Sequence, residues 1–178
     1  MINLAEITEK IQMHLQVYSN SLTAYSDEAF IFKADENTWS LGQMYEHLLI
    51  STEFFMAQVR GCLKEEKGGW EGEKTPVGEQ IFAFGSFPPI EIKVPEKYQT
   101  AGEPVAKAKS FYQERFAELI QDLPSLQKEI EANPTNYKRK HAIFGMITAS
   151  EWFWCIEAHL RHHFRQKEKL EKFASQDV

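Results

Sequence analysis

Residues 151–170, EWFWCIEAHLRHHFRQKEKL, hold three of the six histidines of the chain. On a helical wheel of about 100° per residue, Trp152, His163 and Gln166 fall within about 60° of His159. Most charged residues of the stretch lie on other faces. Burying an unpartnered polar group costs about 1–3 kcal/mol, so the polar side chains on this inward face need partners from elsewhere in the chain.

The composition is typical of a globular protein. The chain has 178 residues, with 43% hydrophobic and 26% charged residues, and we predict one domain spanning residues 1–178. A formal net charge of −6 argues against binding nucleic acid or an anionic membrane. No apolar run approaches the roughly 20 residues that span a bilayer. The acidic, amphipathic N-terminus is unlike a secretory signal, and the two isolated cysteines, Cys62 and Cys155, form no disulfide framework. We therefore expect a cytoplasmic location.

Two long helices are predicted in the first part of the chain. Apolar residues at helical spacing predict helix 1 over residues 3–26, with His14 among polar neighbours and therefore expected at the surface. Ser40 and Gln43 have the spacing of a capping box, which predicts that helix 2 begins there and runs to about residue 66. His47 lies on the flank of its apolar stripe, and a lone flanking histidine is more often a surface residue than a ligand.

Glycine and proline interrupt the helical pattern over residues 67–102. Residues 79–95 carry too many apolar side chains for a solvated linker, so either a packed lid, with a short strand-like piece, or an excursion without a functional role fits the segment. Helix 3 is predicted to begin at residues 103–104, with Pro104 in its first turn. Pro124 should end or kink that helix, and a short helix is predicted over residues 125–131.

The last helix is predicted to begin at Thr148, which forms a second capping box with Glu151, and to run to about residue 174. Residues 136–147 form its approach. Four long helices joined by three connections favour an all-α, up-down-up-down four-helix bundle with a long loop insertion between helices 2 and 3.

The spacing of His159 and His163 permits metal binding. Side chains at positions i and i+4 share a helix face, so two imidazoles can reach one ion at about 2.0–2.1 Å each. His47 is the only other histidine on a long helix near a core face and is the candidate third ligand. Gln166 is placed to orient a ligand or to face an open metal position, and His162 suits a supporting or entrance position. The alternative is a buried histidine pair satisfied by protein groups.

Three stretches resemble hallmark segments of the DinB-like superfamily. They are residues 39–48 (WSLGQMYEHL), residues 141–152 (HAIFGMITASEW) and residues 159–166 (HLRHHFRQ). The resemblance implies an up-and-down four-helix bundle, commonly dimeric, whose metal is held by three histidines, here His47, His159 and His163. The chain departs from the pattern at Ala142, where related sequences often have proline, and in the insertion 67–102, which bears on the pocket's shape and substrate.

The resemblance implies a metal-dependent enzyme. It would act by hydrolysis or by transferring a low-molecular-weight thiol to an electrophilic small molecule, and it would form a homodimer. Three neutral nitrogens leave room for water or substrate, but histidine ligands suit zinc, nickel, iron and copper alike. The alternative is a non-catalytic metal-binding or dimerising module.

The sequence offers candidate catalytic residues but does not single one out. Glu46, Glu151 and Glu157 are the nearest candidate bases in the chain, and none is assigned a catalytic role. Cys155 shares the inward face of the last helix, where a small core residue is a better interpretation than a nucleophile.

Overall fold

The computed structural model describes residues 2–87 and 103–176. In chain order, its elements are α1 (Leu4–Ser21), a 3-10 turn (Leu22–Ala24), α2 (Asp27–Ile31), α3 (Leu41–Leu63), α4 (Pro76–Phe84), α5 (Lys109–Ala132), β1 (Lys138–His141), β2 (Gly145–Thr148) and α6 (Ala149–Gln176). The long helices α1, α3, α5 and α6 confirm the predicted all-α bundle.

Helix α6 runs parallel to α1. His14 pairs with Glu157, and the Tyr18 hydroxyl donates to the carbonyl of Leu160, so residue numbers rise together along the two helices. Both α1 and α3 pack against α5 and α6. The core therefore fills the space enclosed by four helices, with α6 between α1 and α3.

Helices α3 and α5 are also parallel to each other. Glu46 pairs with Tyr112 near the start of both helices, and Arg60 pairs with Asp122 further along. Residue numbers run in opposite directions between α3 and α6. The order of directions is thus up, down, down, up, rather than alternating as predicted. Segment 64–108 makes this possible, because it is long enough to return along a bundle of about 35 Å before α5 begins.

The predicted starts of the two histidine-bearing helices are confirmed by their caps. Ser40 Oγ accepts from Gln43 N at 3.1 Å, and Gln43 Oε1 accepts from Ser40 N at 3.0 Å. At the start of α6, Glu151 Oε2 accepts from the Thr148 N–H at 2.8 Å and from its hydroxyl at 3.0 Å. These caps fix the positions from which His47, His159 and His163 are counted along their helices.

Helix 1 is shorter than predicted. It ends at Ser21, and Ser26 begins the separate helix α2 by accepting a hydrogen bond from Ala29 N. The start of helix 3 also differs, because α5 begins only at Lys109. Residues 103–108 form an extended lead-in in which the Tyr112 hydroxyl accepts from Lys107 N at 2.8 Å.

Helix α5 continues through Pro124 to Ala132, so Pro124 does not end the helix. Proline has no N–H for the carbonyl four residues earlier, which is that of Ile120. The Gln12 side-chain amide of α1 donates to this carbonyl at 3.0 Å. A neighbouring helix thus replaces the missing hydrogen bond, and the separate helix predicted over residues 125–131 is wrong.

The described part of the insertion 67–102 packs against a hairpin formed by β1 and β2. Gly69 and Lys74 form isolated bridges with Lys138 and Gly145, which agrees with the predicted strand-like piece. The helix α4 was not predicted, although Pro76 at its start and Gly85 (φ +66°) at its end are its sequence signals. Residues 88–102 of the predicted lid lie outside the described residues.

Candidate metal centre

Helices α3 and α6 bring three histidines together at one point. His47 Nε2 lies 3.1 Å from His159 Nε2 and 3.2 Å from His163 Nε2, and the last two nitrogens are 3.0 Å apart. His159 and His163 are one helical turn apart on α6, and His47 faces them from the antiparallel α3. We call this set the histidine triangle.

The triangle has the dimensions of a single metal site. Bonds of about 2.0–2.1 Å to one ion separate two nitrogens by about 2.9 Å at a right angle and by about 3.3 Å at a tetrahedral angle. The three observed separations lie between these values. The cluster could therefore hold one divalent metal ion.

Gln166 orients one of the three rings. Its side-chain oxygen accepts a hydrogen bond from His163 Nδ1–H at 2.6 Å. With the proton on Nδ1, the lone pair of His163 Nε2 points into the triangle. Such contacts typically fix the tautomer of metal-binding histidines, and the supporting role of Gln166 at a bound ion stays a prediction.

The environment keeps all three imidazoles uncharged. Burial lowers the pKa of His47 to about 4. Burial, followed by the charge of His47, lowers the pKa of His163 to about 3. Burial and the charges of His163 and His47 hold the pKa of His159 well below its usual value. Neutral imidazole is the form that binds metal.

Aromatic side chains hold the rings of the triangle in place. The Trp39 ring packs against His47 with centroids 5.2 Å apart, and the Phe55 ring meets His159 edge-on at 5.5 Å. The Nδ1 atom of His159 is buried and has no hydrogen-bond partner among the described residues. Sequence reasoning missed Trp39 and Phe55 as neighbours of the site, although both lie on or next to helix 2.

His162 lies outside the triangle. Its ring centroid is 5.5 Å from that of His163 and 5.9 Å from that of Phe87, the last described residue before segment 88–102. His162 therefore lies beside the three clustered histidines and is not one of them, and its supporting or entrance role stays a prediction.

The three candidate bases are engaged elsewhere. Glu46 pairs with the Tyr112 hydroxyl and with Lys107. Glu151 caps α6 and forms an ion pair with Lys74 at 2.7 Å. Glu157 pairs with His14 and Arg161. None of the three is free to serve the triangle as it stands.

His14 is buried, and its predicted surface position is wrong. Its Nε2 atom lies 3.2 Å from Glu157 Oε1, and Arg161 Nε donates to the same oxygen at 2.8 Å. Burial by itself raises the pKa of the Glu157 carboxyl, but the hydrogen bonds from His14 and Arg161 outweigh it and hold this pKa at about 2. The cluster joins α1 to the face of α6 that points away from the triangle.

Cys155 is fully buried, and burial raises the pKa of its thiol well above the usual value. A thiol in that state is a poor nucleophile, so the interpretation as a core residue is favoured.

The family model described as the DinB superfamily matches residues 10–166. This range covers most of the chain and contains the whole histidine triangle together with Gln166. This chain belongs to the DinB superfamily. The match confirms the resemblance to this superfamily that the sequence showed. No curated protein and no solved structure matches the chain. In the described part of this DinB protein, no helix is long and apolar enough to cross a membrane.

Proposed function

We propose that this DinB protein is a metal-dependent enzyme that uses a divalent ion held by His47, His159 and His163. The observation that supports the proposal best is the convergence of three neutral Nε2 atoms with separations of 3.0–3.2 Å. Three protein ligands are the usual number in catalytic sites, where the remaining positions take water or substrate.

The proposed reaction is either hydrolysis or transfer of a low-molecular-weight thiol to an electrophilic small molecule. A bound divalent ion lowers the pKa of water or of a thiol and so prepares a nucleophile near neutral pH. The chain supplies three nitrogens, the orientation of His163 by Gln166, and the aromatic packing of Trp39 and Phe55 around the other two rings.

A non-catalytic metal-binding or dimerising module is the second candidate. The observation that favours it is that Glu46, Glu151 and Glu157 are all engaged in other contacts. We also propose a homodimer in either case. Sedimentation of the metal-loaded protein would show twice the mass of the chain if this is right, and one chain mass if it is wrong.

The metal content of untagged protein tests the first proposal. We expect about one equivalent of zinc, nickel or iron per chain, and its loss in the double variant His159→Ala His163→Ala. His162→Ala is the matched control, since its ring is on the same helix but outside the triangle, and it should keep the metal. Metal retained by the double variant would contradict the assigned site.

Activity separates the two candidates. The loaded protein would be screened for hydrolysis of activated esters and amides, and for transfer of simple thiols to an aromatic halide. Turnover that depends on both the metal and the triangle supports the enzyme. Stoichiometric metal without turnover in either screen favours the binding module.

A further inference from the structure

His141 ends strand β1 with its ring fixed in one orientation. Its Nδ1 atom accepts the backbone N–H groups of both Ile143 and Phe144, each at 3.1 Å. A nitrogen that accepts two hydrogen bonds carries no proton, so in the neutral ring the proton is on Nε2. The turn between β1 and β2 therefore selects one tautomer.

Aromatic packing holds this ring on the hairpin. It stacks on Phe144 with centroids 4.0 Å apart and an interplanar angle of 5°, and it contacts Trp152 at 5.0 Å. Protonating Nδ1 would break both backbone hydrogen bonds, and burial also lowers the pKa of His141 to about 4. At neutral pH, the ring is a fixed donor with its N–H at Nε2.

That Nε2–H group has no hydrogen-bond partner in the described part of the chain. No hydrogen bond to it is present among residues 2–87 and 103–176, although the Nδ1 atom of the same ring has two. The side chain is only partly buried, and Nε2 is not one of the enclosed unpartnered nitrogens, which are those of Trp152 and His159. Because the ring is held through its Nδ1 atom, the Nε2–H group can donate to an acceptor on a bound molecule.

The donor lies near the histidine triangle. The Phe55 ring packs against both His141, at 6.4 Å, and His159, at 5.5 Å, so the two imidazoles share one aromatic neighbour. Among the described residues, the group of side chains that could hold one ion consists of the three histidines of the triangle and does not include His141. The position of His141 beside Phe55 suits contact with another part of a molecule that is bound at the triangle.

We propose that His141 Nε2–H binds an acceptor oxygen, of a carboxylate or carbonyl group, on a substrate anchored at the histidine triangle. This inference rests on the proposed metal site and narrows its substrates to those with an acceptor a few atoms from the metal-binding group. His141 is thus a substrate-binding residue, and its turn contacts keep the proton on the Nε2 atom.

The substitution His141→Asn separates the two roles of this side chain. The asparagine Oδ1 atom reproduces the Nδ1 acceptor for the two backbone N–H groups, whereas the Nε2–H donor is lost. The probes are acetohydroxamate, which offers a metal anchor alone, and succinic monohydroxamate, which adds a carboxylate. Their affinities for the cobalt-loaded protein are measured by visible absorption.

We expect succinic monohydroxamate to bind the wild-type protein more tightly than acetohydroxamate does. His141→Asn should lower the affinity for succinic monohydroxamate by about tenfold, which is the usual effect of losing one hydrogen bond to a charged group. The affinities for acetohydroxamate and for cobalt should stay unchanged. His141→Gln, whose amide can supply a donor, should recover part of the loss. If His141 had only a structural role, the substitution would change the affinities for both probes or for neither.

The other outcomes distinguish a failure of the proposed metal site from a failure of the inference about His141. Failure of the wild type to bind cobalt contradicts the proposed metal site and this inference with it. Normal cobalt binding with no selective effect on the carboxylate probe overturns the inference alone. If both variants fail to fold, the Nε2–H resonance of His141 in the nitrogen-15-labelled wild type decides, because it must shift with succinic monohydroxamate and not with acetohydroxamate.

Discussion

Single side chains beside the histidine triangle should affect how strongly it binds a metal. Gln166 accepts from His163 Nδ1–H at 2.6 Å, and contacts of this kind typically contribute 10- to 100-fold to metal affinity. We expect Gln166→Leu to weaken zinc binding by about that factor, measured by competition with a chromophoric chelator. Gln113→Leu on α5 is the control and should bind zinc as the wild type does. Equal affinities for all three proteins would show that Gln166 does not orient the ligand.

Glu157 links the stability of the protein to pH. Its folded-state pKa of about 2 lies below the ordinary value near 4.3, so its contribution is fully present above the ordinary value and is lost as pH falls toward 2. Glu157→Gln removes charged hydrogen bonds worth about 1.5–3 kcal/mol. We expect a free energy of unfolding lower by about 2 kcal/mol at pH 7, from urea titration.

The same variant supplies its own check. The difference between wild type and Glu157→Gln should shrink between pH 4 and pH 2, because the wild-type carboxyl becomes protonated there. A difference that stays constant over this range would mean that the lost stability arises from packing and not from the charge.

The sequence predicted the histidines of α6 better than that of α1. His159 and His163 share a face by their spacing alone, and His47 was the only other histidine on a long helix near a core face. His14 was misplaced because a helical wheel shows only neighbours on the same helix. Its partner Glu157 lies 143 positions away, and no local pattern marks that pairing.

At the scale of elements, α1 and α5 are coupled through one carbonyl. Gln12 donates to the Ile120 carbonyl that Pro124 leaves without a partner. We expect Gln12→Leu to lower the free energy of unfolding by about 1 kcal/mol, since a partly buried acceptor is left unsatisfied. In a Pro124→Ala background, the alanine N–H can take this carbonyl, and the same substitution should cost close to nothing.

Urea unfolding of the wild type, both single variants and the double variant measures this coupling. Additive effects of the two substitutions would mean that Gln12 does not compensate for Pro124. The case also explains the wrong helix break, because a local rule on proline does not include a donor supplied by another helix.

The hairpin shows a second limit of local patterns. Residues 136–147 were predicted only as an approach to the last helix, yet β1 and β2 pair from Lys138–Thr148 to His141–Gly145. Gly145 has a φ of +83°, and a Cβ there would lie 2.6 Å from the Glu73 carbonyl oxygen. This close approach depends on a segment some seventy positions earlier in the chain, which short-range patterns do not record.

At the scale of the whole molecule, the order of helix directions was the main error. Alternation is the default when connections are short, and it was applied although segment 64–108 separates α3 from α5. The glycines and prolines of that segment favoured the prediction of a lid. Its length indicates instead that α5 can begin at the same end of the bundle as α3. The bundle and the clustering of the three histidines were still predicted, because they depend on helix faces more than on helix order.

A metal in the triangle would join α3 to α6 across this fold. A ligand that binds only the folded state adds about 2.7 kcal/mol of stability at a hundred times its dissociation constant. We expect zinc at that excess to raise the thermal midpoint of the wild type, and a chelator to reverse the rise. The double variant His159→Ala His163→Ala should show no change, and an equal rise in both proteins would place the zinc elsewhere.

The positions of the three histidines along the chain also determine when the triangle can form during folding. His159 and His163 meet as soon as one helical turn of α6 is present, but His47 is 112 positions from the first and 116 from the second. Closing so large a loop is slow and comes late, so the transition state should lack the completed triangle. An interaction absent from the transition state slows unfolding and leaves the folding rate unchanged. In stopped-flow mixing, zinc should therefore change only the unfolding arm of the chevron. The metal would slow unfolding without helping the chain to fold.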